Sequence, residues 1–436
     1  MLHSVNIRYG EKVVGHIGLS EVTKLPVLEY QQHWKGNGFP ISPSLSLEGS
    51  HTPASVYNYL DNLLPEGKAR ELLAQNLGVS EKNVFAQALA LGQDVSGAFA
   101  FTNQEIPSQP IFREVPHNEL IERLEQKEDF GLLHWDDKPR LSVAGVQDKL
   151  NVYISPDGQM GFGDGTLSST HILKFEKANL PHLVLNEFIC MQLAKLSGLP
   201  IAETEFKRFD KFPALLVKRF DRHYHTNAEK VLRRHVIDGC QALDLPRDYK
   251  YERNFGDSRD VKHIRDGASL TGLFSFCQAS PSPAKNTMQL LQWQLFNLMI
   301  SNYDSHAKNV SFFWGRNSCS FTPGYDLVNV AMFPQFKQAL AMAVGDEFEP
   351  DHIHAYQLAD FAESCGLKRP LVIESLRELS AKVLHVISTQ DLSKELEQQK
   401  LISAEEKDYI AQLIEHIKAR TLHLQKCANN IADVTL

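Results

Sequence analysis

The chain has 436 residues, 43% of them apolar and 22% charged, which is ordinary globular usage. That composition excludes wholesale disorder and leaves room for two or three domains, or for one bilobed enzyme with an added module. A formal net charge of -8 excludes a protein that coats nucleic acid through its overall field.

Local basic groups at Lys218, Arg219 and Arg222, and at Arg233 and Arg234, read as solvated faces, with a nucleic-acid role as the less favoured alternative. The six cysteines contain no C-x-x-C pair, so they suit buried, reduced thiols better than a disulfide framework or a zinc site. No stretch approaches the roughly 20 apolar residues of a membrane span. The start, Met1-Leu2-His3-Ser4-Val5, lacks the basic and then apolar run of a signal peptide, so the cytoplasm is the expected compartment.

In chain order, Val5–Arg8 and Val13–Ile17 flank a Gly-containing turn and predict a hairpin. Residues 57–64, 69–76 and 83–91 carry apolar side chains at helical spacing, broken by Pro65-Glu66-Gly67 and by Gly78. Pro107, Pro110 and Pro116 mark a boundary near residues 105–118. Strands are expected at 151–154 and 171–175, with turns at Pro156-Asp157-Gly158 and again at Gly161-Phe162-Gly163-Asp164-Gly165. Residues 183–196 form a helix with a buried stripe, stopped by Gly198 and Pro200, and 214–217 is a short apolar strand. Residues 287–300 are apolar nearly all round and predict a buried helix. Ser403-Ala404-Glu405-Glu406 fits a capping box that opens a long helix to about Lys426.

The sharpest chemical signal follows the buried helix: Asp304-Ser305-His306-Ala307-Lys308-Asn309. Phosphoryl transfer needs a carboxylate to orient or deprotonate the attacking hydroxyl, and oxygen ligands for magnesium nearby. Protein kinases supply both as Asp-x-x-x-x-Asn on a loop, the spacing of Asp304 and Asn309 here. A surface turn would use the same residue types. Further on, Tyr325-Asp326-Leu327 lies where a second metal-binding carboxylate belongs. Lys174, inside the strand 171–175, is placed to meet the α/β-phosphates of ATP, or else faces outward. Glu187 in the next helix is its expected partner, or an exposed carboxylate. The Walker A pattern is absent, and no kinase-type G-x-G-x-x-G loop stands in the expected place.

Another segment fills that role. Ser142-Val143-Ala144-Gly145-Val146-Gln147-Asp148-Lys149 resembles the S-x-A-G-x-Q-x-K segment of the HipA family, the kinase toxins of type II toxin–antitoxin modules. The resemblance extends to residues 59–67, Gly97-Ala98, Thr170–Lys174, Asn186-Glu187, residues 217–222, Asp304–Asn309 and Thr322-Pro323-x-Tyr325-Asp326. It implies an α+β, bilobed, protein-kinase-like fold. The expected layout is an N-terminal subdomain at 1–105, an N-lobe-like region at 106–222 and a helical C-terminal lobe at 223–436.

The resemblance also implies roles. Asp304 would be the catalytic base, supported by His306, with Asn309 and Asp326 holding Mg2+ and Lys174 on the phosphates of ATP. The Lys218-Arg219-Phe220 segment would be the hinge, with adenine held by the main chain at 218 and 220. Val143, Ala144, Gly145, Val146 and Gln147 would cradle phosphate through backbone N–H groups. Ser142 would be the autophosphorylated serine that silences the kinase. Glu187, Lys308 and Tyr325 would support the site. The family implies an aminoacyl-tRNA synthetase as protein target, especially the glutamyl enzyme, and a HipB-like helix-turn-helix antitoxin that carries the complex to operator DNA. Two alternatives stay open at this stage: a catalytically weak kinase fold acting mainly as corepressor, and a small-molecule or lipid kinase.

Overall fold

The computed structural model describes residues 1–49, 51–126, 134–136, 138–140, 149–177 and 179–436. Contacts divide the chain into two compact units. The first comprises Met1–Phe175, Arg208–Arg247 and Phe313–Asn317; the second comprises Glu176–Lys207, Asp248–Phe312 and Ser318–Leu436.

The first unit begins with the expected hairpin. Leu2–Tyr9 pairs antiparallel with Lys12–Leu19, and Gly10 at the turn has φ 59°, a left-handed conformation that costs glycine little. Pro26–Tyr30 and Phe99–Phe101 complete a four-stranded sheet. The three expected helices are Pro53–Asn62, Gly67–Leu77 and Val84–Leu91. They bring Tyr59, Leu60, Leu64 and Leu91 into one core with Ile7, Val14, Ile17 and Phe99. Thr52 starts the first of them by accepting the Ser55 N–H at 3.0 Å.

A second sheet in this unit runs through neighbouring antiparallel strands Phe212–Lys218, His171–Phe175, Lys149–Ile154, Met160–Gly165 and Pro110–Glu114. Leu150, Val152, Leu173, Phe175, Ala214 and Leu216 share one core face. Alternation along each strand therefore puts Lys149, Asn151 and Lys174 on the opposite face. One expectation changes here. Gly161–Gly165 is part of a strand, not a turn, because its glycines admit a neighbouring strand at close range: a Cβ on Gly161 would lie 2.3 Å from the Arg113 carbonyl oxygen. The proline-marked stretch contains that neighbour, Pro110–Glu114, and its place at the sheet edge is where a strand tolerates proline.

The second unit is mainly helical. Leu183–Leu196 forms as expected, and the buried helix is Pro283–Met299, with Leu290, Leu291, Leu295, Phe296 and Met299 inside. The helix Ala404–Cys427 opens with the expected capping box: Ser403 Oγ accepts the Glu406 N–H at 3.2 Å, and Glu406 Oε2 accepts the Ser403 N–H at 2.7 Å. Helix Arg369–Thr389 packs beside it, and Ala355–Ser364 packs against Arg369–Thr389. All six cysteines are free and buried, and burial pushes the thiols of Cys190 and Cys365 up to about 12. Among the described residues, no helix is long and apolar enough to cross a membrane.

Candidate active site

The buried helix Pro283–Met299 ends in a turn that sets up everything after it. Ser301 adopts a left-handed φ of 55°, which breaks the helix and redirects the chain. Asn302 then fixes the exit. Its N–H donates to the Asn297 carbonyl at 2.9 Å, and its Nδ2 donates to Asn297 Oδ1 at 2.8 Å and to the main-chain oxygen of Asp326 at 3.2 Å. One buried side chain thereby joins the helix end, the loop of Asp304 and the loop of Asp326.

Asp304 is exposed, while Ser305, His306, Ala307 and Lys308 behind it are buried. The loop is tied across its base: the Asp304 carbonyl accepts the His306 N–H at 2.8 Å and Asn309 Nδ2 at 3.0 Å. The second bond commits the Asn309 amide NH2 to the loop and keeps its Oδ1 as an acceptor. The chain then runs out and back as strands Ser311–Gly315 and Ser318–Phe321, so the Thr322 N–H reaches the Ser311 carbonyl at 3.0 Å. Tyr325 closes the circuit. Its hydroxyl donates to the Lys308 carbonyl at 2.8 Å and bonds Ser311 Oγ at 2.6 Å. Asp326 follows with φ 53°, an uncommon conformation for a non-glycine residue and one that the Asn302 bond holds in place.

One contributor escaped sequence reasoning. The Tyr251 hydroxyl donates to Asp304 Oδ1 at 2.6 Å, and its ring stands edge-on to His306 at 5.1 Å. Its neighbours anchor it: the Lys250 carbonyl accepts the Ala307 N–H at 3.2 Å, and the Glu252 N–H donates to the Ala341 carbonyl at 3.0 Å. Ala341 in turn donates to the Tyr303 carbonyl at 2.9 Å, next to Asp304. The Glu252 carboxylate is itself held by the Ala343 N–H at 2.7 Å and by Arg265. A separation of 53 residues carries no spacing signal, so nothing local in the sequence points to Tyr251.

In the first unit, Lys174 is 4% exposed, which rules out the outward-facing reading. Strand register places Lys149 directly opposite it, and Lys149 is equally buried. Register therefore sets two buried cationic side chains side by side on one face of the sheet, chemistry that can meet an anionic group. Glu187, in the second unit, is also buried rather than an exposed helix carboxylate.

The Lys218 side chain is exposed at the end of its strand, and the Phe220 ring meets Phe313 edge-on at 5.8 Å. Arg219 departs from a ligand-facing role. Its N–H donates to the Thr170 carbonyl at 2.9 Å, and its guanidinium binds Asp221 at 2.9–3.0 Å and Ser169 Oγ at 2.8 Å.

The basic groups expected to be solvated are largely interior. Arg219 and Arg222 converge on Asp221, which also accepts the Gly97 N–H at 2.9 Å. Arg222 and Arg233 both donate to the Val95 carbonyl, at 2.7 and 2.9 Å. Burial opposes the Asp221 charge, but Arg219 and Arg222 outweigh it and hold the carboxyl well below its usual range. Arg234 lies over the Phe313 ring at 3.4 Å. Arg219, Arg222 and Arg233 thus serve the fold, whereas Arg234 and Lys218 are exposed, as the sequence led us to expect. Ser142 and the loop Val143, Ala144, Gly145, Val146 and Gln147 lie outside the described residues.

The donor chemistry fits the expected ligands. Asp326 and Asn309 offer the carboxylate and amide oxygens that Mg2+ prefers, and the Lys149–Lys174 pair suits a polyphosphate. Comparison with known proteins gives the family. Residues 5–102 match the model of the HipA N-terminal domain, and residues 141–387 match that of the HipA-like C-terminal domain. The chain is 42% identical over 386 residues to the serine/threonine-protein kinase toxin HipA of Shewanella oneidensis, covering 88% of each. It is 31% identical to a putative kinase of Sinorhizobium fredii, over 83% of this chain and 87% of that one. A solved structure of Shewanella oneidensis HipA with HipB and operator DNA superposes with a TM-score of 0.89 at 39% identity, over 99% of this chain and all of the other. By fold and by sequence, this chain belongs to the HipA family and is a serine/threonine-protein kinase.

Proposed function

We propose that this kinase uses ATP and Mg2+ and that Asp304 is its general base. Asp304 takes the proton of the acceptor Ser or Thr hydroxyl as that oxygen attacks the γ-phosphorus. The bond from the γ-phosphorus to the bridging oxygen breaks, and ADP departs with the electron pair. Asn309 and Asp326 hold Mg2+, which when bound neutralises charge on the phosphates. Lys174, with Lys149 beside it, binds the α/β-phosphates, and the main chain at Lys218 and Phe220 receives adenine. His306, Lys308 and Tyr325 keep the loop in shape. The observation that carries this reading is the Asn302 clamp, a single side chain bonded to both the helix leading into the Asp304 loop and the Asp326 main chain.

The kinase acts as a toxin in this reading. Its target is an aminoacyl-tRNA synthetase such as the glutamyl enzyme, whose phosphorylation halts translation and promotes growth arrest. A HipB-like antitoxin neutralises it and reaches operator DNA, in keeping with the acidic charge of this chain; the related Shewanella HipA is solved with HipB and operator DNA. The Val143–Gln147 loop completes the phosphate site. Phosphorylation of Ser142 adds about 1.5–2 negative charges there and expels the loop.

Intact-mass measurement with and without ATP–Mg2+ tests this proposal. The expected result is a gain of one phosphate on the wild type and none on Ser142→Ala. Failure of the wild type both to gain phosphate and to bind ATP–Mg2+ in calorimetry overturns it.

A further inference from the structure

The second unit carries side chains that phosphoryl transfer leaves unused. His423 and Cys427 stand four residues apart on the helix Ala404–Cys427 and therefore share a face. His354 precedes the helix Ala355–Ser364 and is held there by its N–H, which donates to Gln357 Oε1 at 3.1 Å. The rings of His354 and His423 lie 5.2 Å apart at 68°. One ligand-competent atom from each of His354, His423 and Cys427 lies within 4.8 Å of the other two, the single such trio among the described residues.

We propose that these three residues form a binding site for a transition-metal ion of borderline softness, zinc above all. The distances suit it. Cys427 Sγ is 3.6 Å from His423 Nε2. A tetrahedral ion with Zn–S about 2.3 Å and Zn–N about 2.05 Å sets sulfur and nitrogen about 3.6 Å apart. His354 is exposed and its ligand atom already lies within 4.8 Å of the other two, so closing on an ion gives up at most its side-chain part of the capping box and leaves the core in place. Two imidazoles and a thiolate select zinc or copper over magnesium, which separates this site from the oxygen donors at Asn309 and Asp326. Three protein ligands leave a fourth position for water.

His423 Nε2 lies 2.9 Å from the Ile353 carbonyl oxygen, so in the metal-free chain this nitrogen carries the ring proton and donates it there. Coordination through Nε2 moves that proton to Nδ1 and gives up the bond. The Cys427 thiol loses its proton to solvent, so one proton is released per ion. Burial holds that thiol above its ordinary range, while the guanidinium of Arg420 on the same helix works in the opposite direction. A bound ion would link the start of one helix to the last turns of the other.

The test titrates the full-length protein with Zn2+ in excess Mg2+, and with Co2+ as a coloured probe. One equivalent should bind, raise the melting temperature and, with cobalt, produce a thiolate-to-metal charge-transfer band. His354→Ala and Cys427→Ser should each lower affinity by more than the ~10–100-fold typical of losing a group that merely supports a ligand. His354→Ala alters an exposed position, so it should keep its fold and its phosphoryl-transfer rate. Equal zinc affinity in the wild type and both variants, or cobalt binding with no thiolate band, overturns the proposal.

Discussion

The second unit holds its candidate groups on short loops cross-tied by side-chain hydrogen bonds, whereas the first holds them on strands whose partners are chosen by register. Asp304 and Asn309 are fixed by bonds spanning a few residues, so their relation is written as a local spacing. Lys149 and Lys174 meet because two antiparallel strands align, and one residue of slip would turn either lysine to the core face. The first arrangement tolerates change elsewhere in the chain; the second depends on the whole sheet.

The largest expected effect lies in the first unit. Asp221 neutralises Arg219 and Arg222 in the interior, and removing one partner of a buried pair leaves uncompensated charge. Asp221→Asn should cost about 3–5 kcal/mol in chemical denaturation. A loss under about 1 kcal/mol, the range of exposed pairs, would show that the network is not the anchor claimed here.

Next comes the lysine pair. Lys174→Met and Lys149→Met should each lower kcat/KM for ATP by about 100-fold, as expected where a charge-assisted contact to phosphate is lost. The double variant should lose less than the product of the two, since neighbours in one site couple. Strict additivity would contradict a shared phosphate platform.

A pH effect of about 2 kcal/mol sharpens the same contrast. His235 is buried, its Nε2 is 2.8 Å from the Ile41 carbonyl, and its Nδ1 receives the Ala98 N–H at 3.4 Å. Burial lowers its pKa from 6.5 to about 4. The unfolded chain therefore binds the proton first, and stability falls as pH drops from 6.5 towards 4, by about 2 kcal/mol at pH 5. Asp221, held low as well, adds loss in the same direction below pH ~4. His235→Asn should flatten the upper part of this dependence in denaturation curves between pH 7 and pH 5. A slope as steep as that of the wild type would assign the effect elsewhere.

The smallest effect falls on the catalytic loop. Tyr251→Phe removes one hydrogen bond to the Asp304 carboxylate and should lower kcat by about 10-fold with little change in KM. The same substitution in an Asp304→Ala background should do nothing further. A comparable fall in that background would make Tyr251 a general packing residue.

What the sequence disclosed follows the same division. The hairpin, the helices Leu183–Leu196 and Pro283–Met299 and the Ser403 capping box were legible because their signals lie within a few residues. Tyr251 and the Lys149–Lys174 pairing were not, because tertiary contact and strand register create them. The glycine run misled for a related reason. Glycine marks turns and also close strand approach, and only the neighbouring strand Pro110–Glu114 distinguishes the two. Arg222 and Arg233 read as solvated because a short basic run says nothing of the aspartate and carbonyls that enclose them, whereas Arg234 is exposed as expected.

The most direct test of the central claim is transfer of labelled γ-phosphate from ATP–Mg2+ to protein by the wild type and by Asp304→Ala, both shown to be folded. Transfer by the wild type and a fall of about 10²–10⁴-fold in the variant is the predicted result, the range that a general base contributes. Transfer at the wild-type rate by Asp304→Ala would contradict it.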